Sequence, residues 1–216
     1  MTATCNAGHT YKWCSSPVSG VGKYAIPLIN TLIAAYTFTT GMHIDQIVSF
    51  FEHLRCACPG RTSMHNLSGD VIHKVVYKYW LNMRASLLQA RKESSSPLHI
   101  GGDGTYDSPG FSARYCNYVV MDLTTKHILD FFTAIKFQVK GGSAAMEPFA
   151  AKTCLLSLLE YGITITSFTT DRCSTIASMM EKDPRLAAIR HEYDVWHFVK
   201  CVMKDIFKFC KTKQCS

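Results

Sequence analysis

Two acidic residues stand out for where they fall. Asp103 and Asp171 each close a run rich in β-branched and apolar residues, and they lie 68 positions apart. Two such runs as neighbouring strands would hold both carboxylates at one end of a sheet. Paired carboxylates repel unless a cation lies between them. Mg²⁺ or Mn²⁺ suits them, being hard, oxygen-seeking and shared with substrate phosphates. Two such ions can activate an attacking oxygen and stabilise a leaving oxygen at phosphorus. Gly102 and Gly104 flank Asp103 and would let a phosphate backbone come close. The plainer alternative stays open: Asp103 caps a turn and Asp171 caps the helix after it. Asp107 belongs to Asp107-Ser108-Pro109-Gly110, which reads as a turn.

A second constellation is Asp194-Val195-Trp196-His197. On a tight turn, Asp194 can fix the tautomer of His197. Beyond it Lys200, Lys204, Lys208 and Lys211 recur at helical spacing. They form either a solvated face or a track along a phosphate backbone. Asp205 is the one acid after His197 and reads as a solvated helix residue, with a ligand role as the alternative. Ten cysteines show no framework spacing, and the first 22 residues lack an apolar leader core, so a reducing intracellular setting with free thiols is expected. Cys5, His9 and Cys14 could hold zinc, whereas Cys56-Ala57-Cys58 is too closely spaced for a usual pair.

The elements that must position these residues follow from periodicity. Residues up to 97 read as helical. Pro27 opens a helix with Leu28, Leu32, Ile33 and Tyr36 on one face and Gly41 at its end. Ile44, Ile47, Val48, Phe51 and Leu54 mark a second helix, and Ile72, Val76, Tyr79, Trp80, Met83 and Leu87 a third. This half is either a helix-turn-helix-like module, with Lys74 and Lys78 as its basic candidates, or a buttress or dimer contact. Tyr24–Met42 carries no charge, yet its Pro, Asn and Thr content favours a buried helix over a membrane span. The polar run Ser94-Ser95-Ser96-Pro97 sets the expected boundary between regions 1–97 and 98–216.

After Pro97 come a short strand at Leu98–Gly102, strands over Tyr115–Leu123 and Ile128–Val139, and a helix capped by Ser143. That helix carries a Met146, Phe149, Thr153, Leu156, Leu159 stripe. A strand over Ile163–Phe168, a helix around Ile176–Met180, a short strand at Tyr193–Trp196 and a final amphipathic helix complete the chain. Two hairpin connections followed by crossovers give an α/β mixed sheet with flanking helices, the ribonuclease-H-like order. Hydrophobic residues at 47% and a formal charge of +7 exclude a disordered chain, and the basic surplus permits a polyanionic partner without requiring one.

Gly102-Asp103-Gly104, Asp107-Ser108-Pro109-Gly110, Ser112-Ala113-Arg114-Tyr115, Thr170-Asp171-Arg172 and above all Asp194-Val195-Trp196-His197 with Lys200 resemble a group of DDE/D transposases. The last segment is similar to the Cys/Asp-x-x-His signature of Mutator-, hAT- and Kolobok-type enzymes. The resemblance covers about residues 11–210. It implies a ribonuclease-H-like core acting on DNA, with catalytic acids Asp103 and Asp171 holding Mg²⁺ or Mn²⁺ and Asp194 and His197 as the signature pair. It also implies phosphodiester hydrolysis and strand transfer in full-length relatives. Cys173 replaces the His often found two residues after the second acid, and the third acid is not identified. The resemblance suggests a truncated or domesticated copy that does not transpose DNA by itself; a non-catalytic DNA- or protein-binding remnant is the alternative. DNA is the implied partner, a homo-oligomer remains open, no membrane is expected, and the setting is nuclear or cytoplasmic.

Overall fold

A computed structural model describes residues 2–20, 25–94, 96–109, 112–171 and 173–213. Tyr24, Gly110, Arg172 and Cys215, and the side chains of Cys201 and Lys211, lie outside the described residues. The chain divides into two compact units, 1–82 and 83–216. The division falls within a helix, because that helix's second half carries Arg84, Leu88 and Arg91 into the core and ion pairs of the second unit.

The first unit opens with two small hairpins that periodicity does not indicate. β1 (Thr2–Thr4) pairs with β2 (Thr10–Lys12), and β3 (Val18–Ser19) with β4 (Ile26–Pro27). The turn of the first hairpin brings Cys5 Sγ to 3.4 Å from His9 Nδ1. Cys14 follows the end of β2 that pairs with Thr2, opposite that turn, so the three residues that could have held zinc do not gather. Helix α1 (Leu28–Thr40) ends on Gly41, whose left-handed φ of 69° closes the last turn. Helix α2 (Ile44–His53) follows. The third expected helix begins earlier than its stripe suggests, as α3 (Arg61–Leu67), a π turn over Ser68–Ile72 and α4 (His73–Glu93). Ala34, Met64, Leu67 and Ile72 form this unit's small core. No helix among the described residues is long and apolar enough to cross a membrane.

The second unit is a five-stranded mixed sheet with flanking helices, in the order strand, strand, strand, helix, strand, helix, strand, helix. β5 (His99–Tyr106), β6 (Tyr115–Asp122) and β7 (Ile128–Ile135) form an antiparallel meander. Helix α5 (Met146–Glu160) then crosses to β8 (Ser167–Thr170), α6 (Ser174–Lys182) to β9 (Arg190–Tyr193), and α7 (Val195–Lys213) follows. The sheet order is β7-β6-β5-β8-β9, with β5–β8 and β8–β9 parallel. This is the ribonuclease-H-like arrangement, and the two acidic strands are interior neighbours.

Several local expectations change: Ala145 rather than Ser143 stands at the N-cap of α5, β7 stops at Ile135, and β8 is Ser167–Thr170 rather than Ile163–Phe168. Helix α5 buries Met146, Ala150, Ala151, Cys154, Leu155 and Leu158 rather than the stripe through Phe149 and Thr153. It is apolar on several faces, so spacing alone could not select one. The last strand comes before Asp194, not across it, because β9 is locked in parallel register with β8 and Asp194 starts the next helix. The α7 stripe of Val199, Val202, Met203, Ile206 and Phe209 is exposed rather than packed.

Candidate functional site

The site forms where β8 and β9 end beside the middle of β5. Gly101 pairs with Thr169, so Asp103 and Asp171 each lie two residues further along neighbouring parallel strands and face the same side. Thr170 pairs with Tyr193, which puts Asp194 level with Asp171. Asp194 N donates to Thr170 O at 2.8 Å, tying the start of α7 to the end of β8. Asp103 sits within β5, opposite Val119, rather than in a turn after it. A cavity of about 340 Å³ is lined by Asp103, Asp171, Asp194 and His197, with Val119, Met121 and Leu123 as an apolar wall. Cavities at the carboxyl ends of parallel strands, where strand order reverses, are the usual ligand sites of open α/β sheets.

The Asp194–His197 pair follows from helix capping. Asp194 Oδ1 accepts from Trp196 N at 2.8 Å, an N-cap bond, and its Oδ2 lies 3.1 Å from His197 Nδ1. The carboxylate therefore orients the imidazole and leaves Nε2 for another partner. Trp196 stacks edge-on against His197 and carries Lys200 Nζ 4.6 Å from its ring centroid. Lys204 and Lys208 continue along exposed α7. Asp205 is also exposed on α7 and does not line the cavity. Asp107 holds a turn, accepting from Arg114 N and Tyr115 N at 3.0 and 3.1 Å. Cys173 precedes α6, with its thiol 3.0 Å from Thr175 Oγ1.

Sequence reasoning missed Glu147. It lies in the first turn of α5, and Tyr106 Oη donates to its Oε2 at 3.2 Å. Burial raises its carboxyl, Tyr106 opposes this, and the charges of Asp171 and Asp103 push it up further. Burial and the charge of Glu147 raise the Cys116 thiol to about 11 despite an opposing bond from Tyr106, and Asp103 adds to the rise. Burial raises the Tyr118 phenol, with Glu147, Cys154, Asp103 and Asp171 adding to it. Glu147 thus lies within electrostatic reach of Asp103 and Asp171 but over the opposite face of β5 from Asp103 and outside the cavity, and among the described residues none of the three is in an ion pair with a cation. The available signal was an acid one residue into the helix that crosses back over the first strand.

The glycines beside Asp103 are required by packing. A Cβ at Gly102 would lie 2.5 Å from Tyr118 Oη and 2.7 Å from Phe168 Cε2, and one at Gly104 would lie 3.1 Å from Glu147 Cγ. The carboxylate oxygens of Asp103 and Asp171 would suit a hard divalent cation, with the His197 imidazole beside them. Among the described residues, however, no three His, Cys, Asp or Glu side chains are drawn together as a ligand group.

No family model matches the chain, and no curated protein matches it. Among solved structures it is similar to a chain of the simian T-cell lymphotropic virus intasome in complex with a PP2A regulatory subunit. That match has 14% identity and a TM-score of 0.31, covering 68% of this chain and 51% of that one. It is also similar to the catalytic domain of human Endonuclease V, at 17% identity and a TM-score of 0.25, covering 44% and 46%. The chain spans about half the length of the structures it matches. The fold assignment rests on the strand order, not on these superpositions.

Proposed function

We propose that this chain is a DDE/D transposase-related protein of the Mutator-, hAT- or Kolobok-type group that binds DNA and hydrolyses its phosphodiesters. The observation that carries this reading is the shared cavity of Asp103, Asp171, Asp194 and His197, where β8 and β9 end beside the middle of β5. Asp103 and Asp171 would hold Mg²⁺ or Mn²⁺, with Glu147 as the third acid within electrostatic reach, and the ion would supply charge neutralisation at the scissile phosphate. Asp194 fixes the His197 ring, and His197 Nε2 would exchange a proton or hydrogen bond with a phosphate oxygen. Val119, Met121 and Leu123 limit water on one wall.

A second reading, a non-catalytic DNA-binding remnant, is favoured by the lack of a gathered three-ligand group among the described residues. Nicking of duplex and pre-nicked DNA in Mg²⁺ and Mn²⁺ separates the two. The catalytic reading expects cleavage that falls at least about 100-fold in Asp103→Asn and Asp171→Asn, since misplacing reacting groups by an ångström costs that much. It expects a smaller loss in Glu147→Gln. No cleavage with retained, salt-sensitive binding would overturn it in favour of the remnant.

A further inference from the structure

Tyr118 Oη is the one buried side-chain polar atom without a hydrogen-bond partner among the described residues. Its residue is fully buried on β6, and the hydroxyl presses against the bare Cα of Gly102, where a Cβ would come within 2.5 Å of it. An orphaned buried donor gives up its bond to water with nothing in return, and phenylalanine would fill the same space without that cost. Such a group calls for an explanation in the site around it.

The acceptor closest in chemistry is Glu147. Gly102 and Gly104 are successive positions on one face of β5, about 7 Å apart. Tyr118 Oη lies over the first, and the Glu147 carboxyl lies over the second, its Oε1 3.3 Å from where a Cβ would be. After burial, the charge of Glu147 is the strongest influence on the Tyr118 phenol. Glu147 has three rotatable side-chain bonds, and its Oε2 is held by the rather long 3.2 Å bond from Tyr106. Tyr106 and Tyr118 therefore flank one carboxylate on a long, rotatable side chain.

We propose that Glu147 has two stations. In one it accepts from Tyr106; in the other it swings along β5 and accepts from Tyr118, which acts as a positioning residue for this carboxylate at the acidic site. The missing Cβ atoms of Gly102 and Gly104 keep that path clear. The role in ion binding rests on the metal reading given above, whereas the hydrogen bond itself does not.

The test compares Tyr118→Phe in the wild-type and Glu147→Met backgrounds by urea unfolding of the full chain without metal, followed by Mn²⁺ titration calorimetry. The two-station arrangement expects Tyr118→Phe to raise the unfolding constant about fivefold in the wild type, in keeping with one net hydrogen bond, and to be neutral or stabilising in the Glu147→Met background. It expects Mn²⁺ affinity to fall about tenfold in Tyr118→Phe, as when a ligand loses its orienting partner. A purely structural tyrosine would leave that affinity unchanged. A neutral or stabilising Tyr118→Phe in the wild type, or unaltered Mn²⁺ affinity, would overturn the proposal. Absence of Mn²⁺ binding to the wild type would overturn the metal reading, and the unfolding pair would still judge the Tyr118–Glu147 bond.

Discussion

Gly102 and Gly104 look alike in the sequence, but their surroundings differ in how far they can yield. Beneath Gly102 lie Tyr118 and Phe168, both fully buried, and a methyl group there meets the Tyr118 hydroxyl at 2.5 Å and ring atoms of Phe168 and Tyr118 at 2.7 and 2.8 Å. Gly104 faces the flexible Glu147 side chain at 3.1 Å. Overpacking a tight core costs about 1–3 kcal/mol. Gly102→Ala should therefore lower stability by an amount in that range, and Gly104→Ala by clearly less, measured by urea midpoints at constant m-value. Equal effects would show that the floor beneath Gly102 can relax. At this scale Asp103, Asp171, Asp194 and His197 were legible as neighbours, because β-rich runs and helix caps leave marks in the local sequence, although Asp103 lies inside β5 rather than at its end. Glu147 was not, since an acid in a first helical turn is ordinary and only the crossover of α5 brings it near Asp103 and Asp171.

The elements are fastened by two buried arginine–aspartate pairs from α4. Arg84 reaches Asp130 at 2.7 Å and also donates to Ser157 on α5, while Arg91 pairs with Asp122 at the end of β6. Burial alone would raise the Asp122 carboxyl. The Arg91 guanidinium, the Thr125 hydroxyl and the backbone N–H groups of Thr124 and Thr125 outweigh it and hold the group below its usual range. A carboxyl depressed in the folded state contributes stability above its unfolded pKa, and loses it as pH falls through the folded value. Asp122→Asn should therefore cost about 3–5 kcal/mol at pH 7, as expected when a buried pair loses one partner. It should also flatten the acid limb of the stability curve below about pH 4. An unchanged acid limb would place the depression elsewhere. Neither pair could be read from spacing, because each joins residues far apart in the chain. The strand and helix order could be read, because periods of 2 and 3.6 are local properties. Helix α5 shows the limit: with apolar residues on several faces, its buried side is chosen by the sheet it covers.

Over the whole chain the charge is modest at +7, so any affinity for DNA has to come from where the cations sit. Lys200, Lys204 and Lys208 recur along α7, the helix that begins at the Asp194–His197 pair beside the cavity. The same helix exposes Val202, Met203, Ile206 and Phe209, so its period of 3.6 predicted two faces correctly but not which would be covered. A row of lysines one helical turn apart rises about 6 Å per step, close to the spacing of successive phosphates along a strand. Each lysine that meets a phosphate releases condensed counterions and adds about one to the slope of log affinity against log salt. Replacing Lys200, Lys204 and Lys208 with alanine should weaken duplex binding and reduce that slope by about one for each of the three that pairs with a phosphate. Anisotropy titrations between about 50 and 200 mM salt would measure this, with helical content checked by circular dichroism. Asp171→Asn should leave the slope unchanged, because it alters the acidic site and not the lysine row. A slope that survives the triple alanine substitution would place the DNA path on another face and remove α7 from the interface.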